Sequence, residues 1–243
     1  MTILRVKIPS MQKVYILIGL PGSGKTTFAR KLISNDPYNT IRIAMDDILQ
    51  MTSFYNFIRE NVPLYHEFES TMYVTAITQG FNVIVDRTNI DRKTREMFIK
   101  PPRRTREIAR MILDSLNQER MSLFRESDEK IIEKILKEFK KDDELTEKII
   151  QSFWKMFVSS LNPDLYHNRQ DFESILKTVS NLEIVGVFFD LPIDVCIKRR
   201  TQDPYVLIRG EGIDWEGVIK KLAEKFETPE IDEGFDRLDV LSR

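Results

Sequence analysis

The feature that most constrains the fold of this 243-residue chain is a glycine-rich octet at residues 19–26, GLPGSGKT. It directly follows an apolar run, residues 13–18, of the kind typical of a strand buried on both faces of a parallel sheet. It leads into residues 26–32, whose apolar positions predict a helix. A strand, a glycine-rich turn and a helix in this order predict an α/β fold with a parallel sheet.

The octet matches the pattern G-x-x-x-x-G-K-[S/T] in full, and that pattern has a specific mechanism. Glycines let consecutive backbone N–H groups converge on phosphate oxygens, and the positive end of the next helix points at the same anion. Lys25 is placed to reach the β and γ phosphates, and the Thr26 hydroxyl to ligate Mg²⁺. The alternative is a turn that merely links strand and helix. The octet therefore predicts ATP and Mg²⁺ as cofactors, with the nucleotide held by Gly19, Pro21, Gly22, Ser23, Gly24, Lys25, Thr26 and Thr27.

Three further apolar runs predict strands, and an acidic residue follows each. The runs and their acids are residues 41–45 with Asp46, residues 81–85 with Asp86, and residues 183–189 with Asp190. Helical patterns cover residues 65–79 and 215–226, and a short last strand is predicted over 237–241. This alternation predicts a parallel sheet covered by helices, with ligands outside the carboxyl ends of its strands.

The acidic residues at the strand ends supply the chemistry that phosphoryl transfer to a hydroxyl requires. Such a reaction needs a base near the nucleophile and an acidic group on the metal side. Asp46 and Asp86 follow strands expected to flank the strand before the octet; we expect a functional role for Asp46 and the Mg²⁺-side role for Asp86. Asp47 precedes an apolar helical pattern and is expected to cap that helix.

Residues 106–180 interrupt the alternation, because they carry helical patterns and no strand signal. Apolar residues repeat at helical spacing over 131–139 and again over 145–158, with Lys and Glu on the faces between. We predict a P-loop kinase-type core at residues 1–105 and 181–243 with a helical insertion at 106–180. The aromatic stripe over 145–158 is expected to form the core of the insertion or its contact with the sheet; a partner-binding face is the alternative.

Composition excludes several classes of protein. The formal net charge is −1, so no global positive field indicates a nucleic-acid binder. One cysteine, Cys196, rules out an internal disulfide framework, and two histidines make a histidine-based metal site improbable. There is no apolar run of membrane-spanning length and no secretory signal at the start, so we expect a cytoplasmic protein.

A local basic run departs from the near-neutral balance. Residues 91–110 contain eight Lys or Arg against three acids. Pro101-Pro102 is expected to divide the run into two short segments. The run could follow a phosphodiester backbone, or it could be a solvated helix face with a loop.

Taken together, these motifs resemble the polynucleotide 5′-hydroxyl kinases of phage and animal repair. Residues 21–25 (PGSGK) match their P-loop core, and residues 45–50 (MDDILQ) are similar to their Arg-Asp-Asp-Tyr-Arg-Gln. Residues 86–89 (DRTN), with arginines trailing at 92 and 95, resemble their Asp-x-Thr-Asn segment. Residues 197–200 (IKRR) resemble their lid, and residues 225–235 (KFETPEIDEGF) their Phe-Glu-x-Pro…Glu-Gly-Phe signature. The resemblance covers about residues 1–100 and 183–241 and leaves out the insertion.

The resemblance implies transfer of the γ-phosphoryl group of ATP to the 5′-hydroxyl end of DNA or RNA, in nucleic acid repair. By the same resemblance Asp46 is the general base, Arg199 is the lid arginine over the phosphates, and Lys25 completes the catalytic set. Arg209 is a weaker match for a second lid charge. Residues implied to shape the acceptor pocket are Asp86, Arg87, Thr88, Asn89, Arg92 and Arg95.

Two departures leave other functions open. Leu49 stands where the family has an arginine for the acceptor's 3′-phosphate, and the phosphatase half of the animal enzymes is absent. A P-loop kinase acting on a tRNA-linked or small-molecule hydroxyl is therefore one alternative. A nucleotide-gated assembly module, in which the insertion is the working part, is another.

Overall fold

The computed structural model describes residues 11–121, 130, 134, 143–160, 168–203 and 212–242. Its strands are β1 (Lys13–Ile18), β2 (Thr40–Ile43), β3 (Asn82–Val85), β4 (Glu183–Asp190) and β5 (Arg237–Ser242). Its α-helices are α1 (Lys25–Asn35), α2 (Met45–Ser53), α3 (Val62–Thr78), α4 (Arg92–Met121), α5 (Glu144–Ser160), α6 (Asn168–Ser180), α7 (Ile193–Thr201) and α8 (Trp215–Glu224). Short 3₁₀ turns lie at Arg59–Asn61 and Ile231–Glu233.

The five strands form one parallel sheet in the order β2-β3-β1-β4-β5. This confirms the predicted α/β class and places the octet at the carboxyl end of the central strand. The expectation that the strand before Asp46 flanks β1 is wrong. Both edges of β1 are occupied, by β3 and β4, so β2 pairs with β3 instead.

Both faces of the central strands are covered, which explains why their sequences are continuously apolar. Val14, Ile16 and Ile18 point to one cluster, and Leu17 points to a second cluster on the other face. Each of these four side chains is fully buried. The loops at the carboxyl ends of the strands are thereby held on a rigid base.

Helix α4 runs without a break through Pro101 and Pro102, contrary to the prediction that these prolines divide it. Pro102 has no N–H for the carbonyl of Phe98, four residues earlier. The Tyr73 hydroxyl replaces that donor, at 2.6 Å from the Phe98 carbonyl oxygen. Both prolines are buried, so tertiary packing outweighs the local cost of proline in a helix.

Helices α5 and α6 pack with the second half of α4 and with α3 into a separate apolar cluster. Ile149, Ile150, Phe153 and Phe157 are buried there, as the periodicity over 145–158 predicts. The patterned segment 131–139 lies outside the described residues, apart from position 134. The predicted start of the insertion, at 106, falls inside α4, and the division into core and insertion stays a prediction.

Among the described residues, no helix has the length and apolarity needed to cross a lipid bilayer. The cytoplasmic setting stays a prediction.

Candidate active site

The octet forms a loop between β1 and α1 that only glycine can complete at two points. Gly24 precedes α1 with φ +100°, a left-handed conformation that other residues rarely adopt. A Cβ at Gly22 would lie 2.3 Å from the Cys196 carbonyl oxygen, so this glycine lets α7 pack directly on the loop. The first turn of α1 therefore directs its N–H groups toward the mouth of the loop, where an anion is favoured.

Lys25 lies beneath this loop rather than in solvent. Its Nζ donates to the carbonyl oxygens of Gly19 and Leu20, both at 2.8 Å, and to Ser23 Oγ at 3.4 Å. Burial lowers the pKa of Lys25 to about 8, with the Asp86 carboxylate opposing that change. A phosphate anion in the loop would favour the charged ammonium form and raise the pKa of Lys25 again.

The segment after β3 is tied to the loop by two hydrogen bonds. The Gly19 N–H donates to the Thr88 carbonyl oxygen at 2.9 Å, and Asn89 Nδ2 donates to the Leu17 carbonyl oxygen at 2.7 Å. Asn89 is 1% exposed, so it braces the loop and is not available to a substrate. Thr88 does line the cavity described next.

A cavity of about 760 Å³ opens over the loop and the carboxyl ends of β1, β2 and β3. Six of its lining residues are cationic and three are acidic, so it suits a polyanion. It brings together residues far apart in the sequence. They are Pro21, Gly22, Gly24, Lys25, Thr26, Thr27, Arg30, Arg42, Met45, Asp46, Asp86, Arg87, Thr88, Arg199, Arg200, Asp203 and Trp215.

Asp86 and Asp47 share an arginine that the sequence did not single out. Arg42, on β2, donates from Nε to Asp86 Oδ2 at 2.7 Å and from Nη1 to Asp47 Oδ2. Asp86 is 8% exposed and lines the cavity together with Thr26, so these two residues suit a small hard cation. Asp47 does not cap α2 as expected, because its side chain is turned to Arg42 and Ala44 is the residue before the helix.

Asp46 lies in the first turn of α2, at the cavity wall. Its carboxylate is among the charges that act on the pKa of Lys25, which places the two groups within electrostatic reach of each other. The structure therefore brings the predicted base and the predicted P-loop lysine to one cavity.

Arg87 lies in the segment after β3 and lines the cavity, and two neighbouring side chains hold its guanidinium group in place. Its Nη1 donates to Glu69 Oε2 at 2.7 Å, and its Cζ lies 5.6 Å from the centroid of the Phe98 ring. Glu69 is 3% exposed, and burial raises the pKa of its carboxyl group. Arg87 is thus fixed by a buried acid that no sequence motif indicated.

The structure does not bring Arg92 and Arg95 to the cavity. Arg95 is fully buried and forms two hydrogen bonds with Glu233, at 2.6 and 2.7 Å. Arg92 is exposed and pairs with Asp232 at 3.5 Å. Neither guanidinium group lines the cavity, because Arg95 is bound to Glu233 and Arg92 is turned to Asp232; the substrate contacts predicted for these two residues stay predictions.

Most of the basic run over 91–110 is likewise engaged within the protein. Lys100 pairs with Asp143, Arg106 pairs with Asp236, and Arg110 Nε donates to the Ser180 carbonyl oxygen. These contacts join α4 to neighbouring segments. The run is therefore better explained as structural than as a track for a phosphodiester backbone.

The last turn of α7 carries Arg199 and Arg200, and both line the cavity. Arg199 is exposed. The Cζ of Arg200 lies 3.9 Å from the centroid of the Trp215 ring, and its Nη1 lies 3.5 Å from Asp203 Oδ2. Arg209, the other possible lid charge, lies outside the described residues.

Sequence reasoning missed Arg30, Arg42, Glu69, Arg200 as distinct from Arg199, and Trp215. A charged residue inside an apolar strand, as at Arg42, was the one available signal. Nothing in the sequence indicates that Trp215 meets Arg200, because fifteen positions separate them and their contact depends on how α7 and α8 pack.

Comparison with known proteins agrees with this arrangement. An AAA-domain family matches residues 14–135, which is half of the chain and includes the octet, Asp46 and Asp86. The chain belongs to this AAA-domain family. The matched span of this AAA domain holds the three strands β1 to β3 and most of the cavity wall, whereas α7 and α8 lie outside it.

A curated relative of this AAA domain is named a bifunctional polynucleotide kinase/RNA ligase, from Autographa californica nuclear polyhedrosis virus. It is 30% identical over 104 residues, which cover 39% of this chain and 15% of the viral protein. The match confirms the resemblance to polynucleotide kinases drawn from the motifs. The chain thus aligns with only a small part of the relative's length.

Two solved structures show a weaker likeness to this AAA domain. A fungal RNA kinase has 12% identity and a TM-score of 0.45, over 95% of this chain and 75% of its own. A Pnkp1/Rnl/Hen1 RNA repair complex has 13% identity and a TM-score of 0.35, over 96% and 80%. Values this low do not establish a common activity.

Proposed function

We propose that this protein transfers the γ-phosphoryl group of ATP to the 5′-hydroxyl end of a polynucleotide. One observation carries the proposal: a phosphate-binding loop, an acid suited to be a base and several arginines line a single cavity. The name of the viral relative supports a polynucleotide as the acceptor. A role in nucleic acid repair is part of the same proposal.

In the proposed reaction, Asp46 accepts the proton of the attacking hydroxyl and orients its oxygen. Lys25 and an arginine of α7 hold the β and γ phosphates, so that charge on the transferred group meets fixed cations. Catalysis of this kind depends mainly on positioning and electrostatics. Arg87, fixed by Glu69, lines the same cavity and is proposed to contact the acceptor.

We propose that Thr26 and Asp86 hold a Mg²⁺ ion with the nucleotide. Magnesium takes few protein ligands and keeps several waters, so a hydroxyl and a carboxylate at one cavity fit it. Asp86 Oδ2 is engaged by Arg42, which fixes the direction of this carboxylate. When bound, Mg²⁺ would neutralise part of the charge on the phosphate oxygens.

The test is a panel of acceptors incubated with γ-labelled ATP and Mg²⁺. We expect label on 5′-hydroxyl DNA or RNA and none on the same strands carrying a 5′-phosphate. Lys25→Ala is the matched blank for contaminating kinase. Label on neither 5′-hydroxyl strand, with ATP binding intact, would contradict the proposed acceptor.

A kinase for a smaller or tRNA-linked hydroxyl is the second candidate. It is favoured by Leu49 and by the intramolecular pairing of the basic run, since neither supplies an extended track for a strand. Salt separates a polynucleotide acceptor from a small neutral one, and a tRNA without a 5′-hydroxyl, added to the acceptor panel, tests the tRNA-linked candidate. Binding of a polynucleotide weakens steeply as salt rises, whereas binding of a neutral metabolite does not.

A further inference from the structure

We propose that Arg200, held in place by Trp215, is the arginine of α7 that contacts the triphosphate tail of the nucleotide. The sequence resemblance gave that contact to Arg199. The inference rests on the proposed function only for ATP binding, and it does not depend on the identity of the acceptor.

Arg200 is held by two contacts. Its guanidinium stacks on Trp215, with Cζ 3.9 Å from the ring centroid, and Nη1 lies 3.5 Å from Asp203 Oδ2. The side chain is 12% exposed, so the cation is largely withdrawn from solvent. Withdrawal from water strengthens attraction between a guanidinium and an aromatic face.

The Trp215 ring is placed by packing rather than by a hydrogen bond. Its Nε1 is buried and has no hydrogen-bond partner among the residues that the structure describes, and Trp215 begins helix α8. Helix α8 packs against α7, and Ile219 on α8 shares a small apolar cluster with Cys196 on α7. Trp215 is therefore a positioning residue whose face is presented to Arg200.

The held guanidinium lies beside the phosphate-binding loop. A Cβ at Gly22 would lie 3.3 Å from the Cβ of Arg200, and both Arg200 and Trp215 line the cavity. The charge of Arg200 is one of the influences that lower the pKa of Lys25, whereas the charge of Arg199 acts on Cys196. Arg200 thus lies against the phosphate-binding loop and within electrostatic reach of the buried lysine.

Arg199 differs in both burial and direction. It is exposed, and adjacent residues on a helix point about 100° apart. An exposed arginine loses more conformational freedom on binding a phosphate than one already held against a ring. Pre-placement by Trp215 is what favours Arg200.

The kinetic test compares Arg200→Ala with Arg199→Ala, using Lys198→Ala on the same helix as the surface control. We expect Arg200→Ala to lower kcat by about 10²-fold, and Arg199→Ala to lower it by no more than about tenfold. Trp215→Leu should lower kcat about five- to thirtyfold, and Trp215→Phe should restore most of it because the aromatic face is kept. A larger loss for Arg199→Ala, or equal activity of Trp215→Leu and the parent protein, would overturn the inference.

A second readout does not require phosphoryl transfer. The chain has two tryptophans, so Trp154→Phe leaves Trp215 as the only indole. We expect a non-hydrolysable ATP analogue to change the Trp215 emission, and Arg200→Ala to remove that change. Analogue binding by calorimetry with unchanged emission would overturn the inference while leaving the proposed function intact. An emission change without any transfer to a 5′-hydroxyl would support the inference and contradict only the proposed acceptor.

Discussion

At the scale of single residues, two groups that line one cavity, Asp46 and Lys25, carry the proposed reaction. Asp46 lies in the first turn of α2 and Lys25 begins α1, and the charge of Asp46 is among those that act on the pKa of Lys25. Neither residue is distinctive alone. Their convergence follows from the parallel sheet, which brings the carboxyl ends of β1 and β2 to the same edge.

Replacing Asp46 with asparagine should abolish its action as a base while keeping its shape. We expect kcat to fall by about 10²- to 10⁴-fold, with the affinity for ATP little changed. Steady-state kinetics and calorimetry on the same preparation measure both quantities. Asp47→Asn is the matched control, because this neighbouring acid is not among the residues that line the cavity and its loss should have a smaller effect. Equal losses for the two variants would refute the assignment of the base.

Lys25 makes nucleotide binding dependent on pH. Its pKa is about 8 in the free protein, and the negative charge of a bound triphosphate raises that pKa. Binding above pH 8 must therefore take up a proton, so the association constant should fall by up to about tenfold per pH unit as the pH rises further. Calorimetry at pH 8.5 in two buffers of different ionisation enthalpy measures the uptake. Lys25→Met should bind more weakly and without this dependence; a flat profile for the parent protein would contradict the assigned pKa.

At the scale of elements, the ion pair between Arg95 on α4 and Glu233 in the turn before β5 is expected to stabilise the fold. The side chains of Arg95 and Glu233 are 1% and 3% exposed. Removing one partner would therefore leave a buried charge without its counter-charge. We expect Arg95→Met to lower the free energy of unfolding by about 3–5 kcal/mol. Arg92→Met is the control, since its exposed pair with Asp232 should contribute less than about 1 kcal/mol. Denaturant unfolding measures both, and similar small changes would show that the buried pair is not needed.

Comparing the predicted elements with the observed ones shows which of them the sequence could predict. Periodicity and the octet were enough for all five strands and for α1, since those signals are local. Arg95 was assigned to the substrate because a motif gives spacing but not direction, and in the structure the side chain turns to Glu233. The prediction that Pro101 and Pro102 divide the helix was wrong for a related reason. Tyr73 supplies the donor that replaces the missing N–H of Pro102, and Tyr73 lies on another helix.

At the scale of the whole molecule, two apolar clusters share the helices α3 and α4. Phe98 and Ile99 belong to the cluster under the sheet, whereas Ile108 and Ile112 belong to the cluster with α5 and α6. A continuous helix that contributes to both should couple them. The helical insertion and the sheet are therefore expected to unfold together.

Phe153→Ala tests this coupling, because Phe153 is fully buried in the cluster of α5 and α6. We expect the free energy of unfolding to fall by about 3–5 kcal/mol, and the variant still to unfold in a single transition. Far-UV circular dichroism and the fluorescence of Trp154, on α5, measured in a Trp215→Phe background, should report the same midpoint. Two separated transitions would show that the cluster folds independently of the sheet.

The central claim is that one cavity passes the terminal phosphate of ATP to the 5′ oxygen of a nucleic acid strand. The most direct measurement follows label from γ-labelled and α-labelled ATP onto a 5′-hydroxyl oligonucleotide, then digests the product to single nucleotides. We predict label from the γ position only, recovered entirely in the 5′-terminal nucleotide, and lost in Lys25→Ala and Asp46→Asn. Label from the α position, label at the 3′ end, or undiminished transfer by either variant would contradict the account.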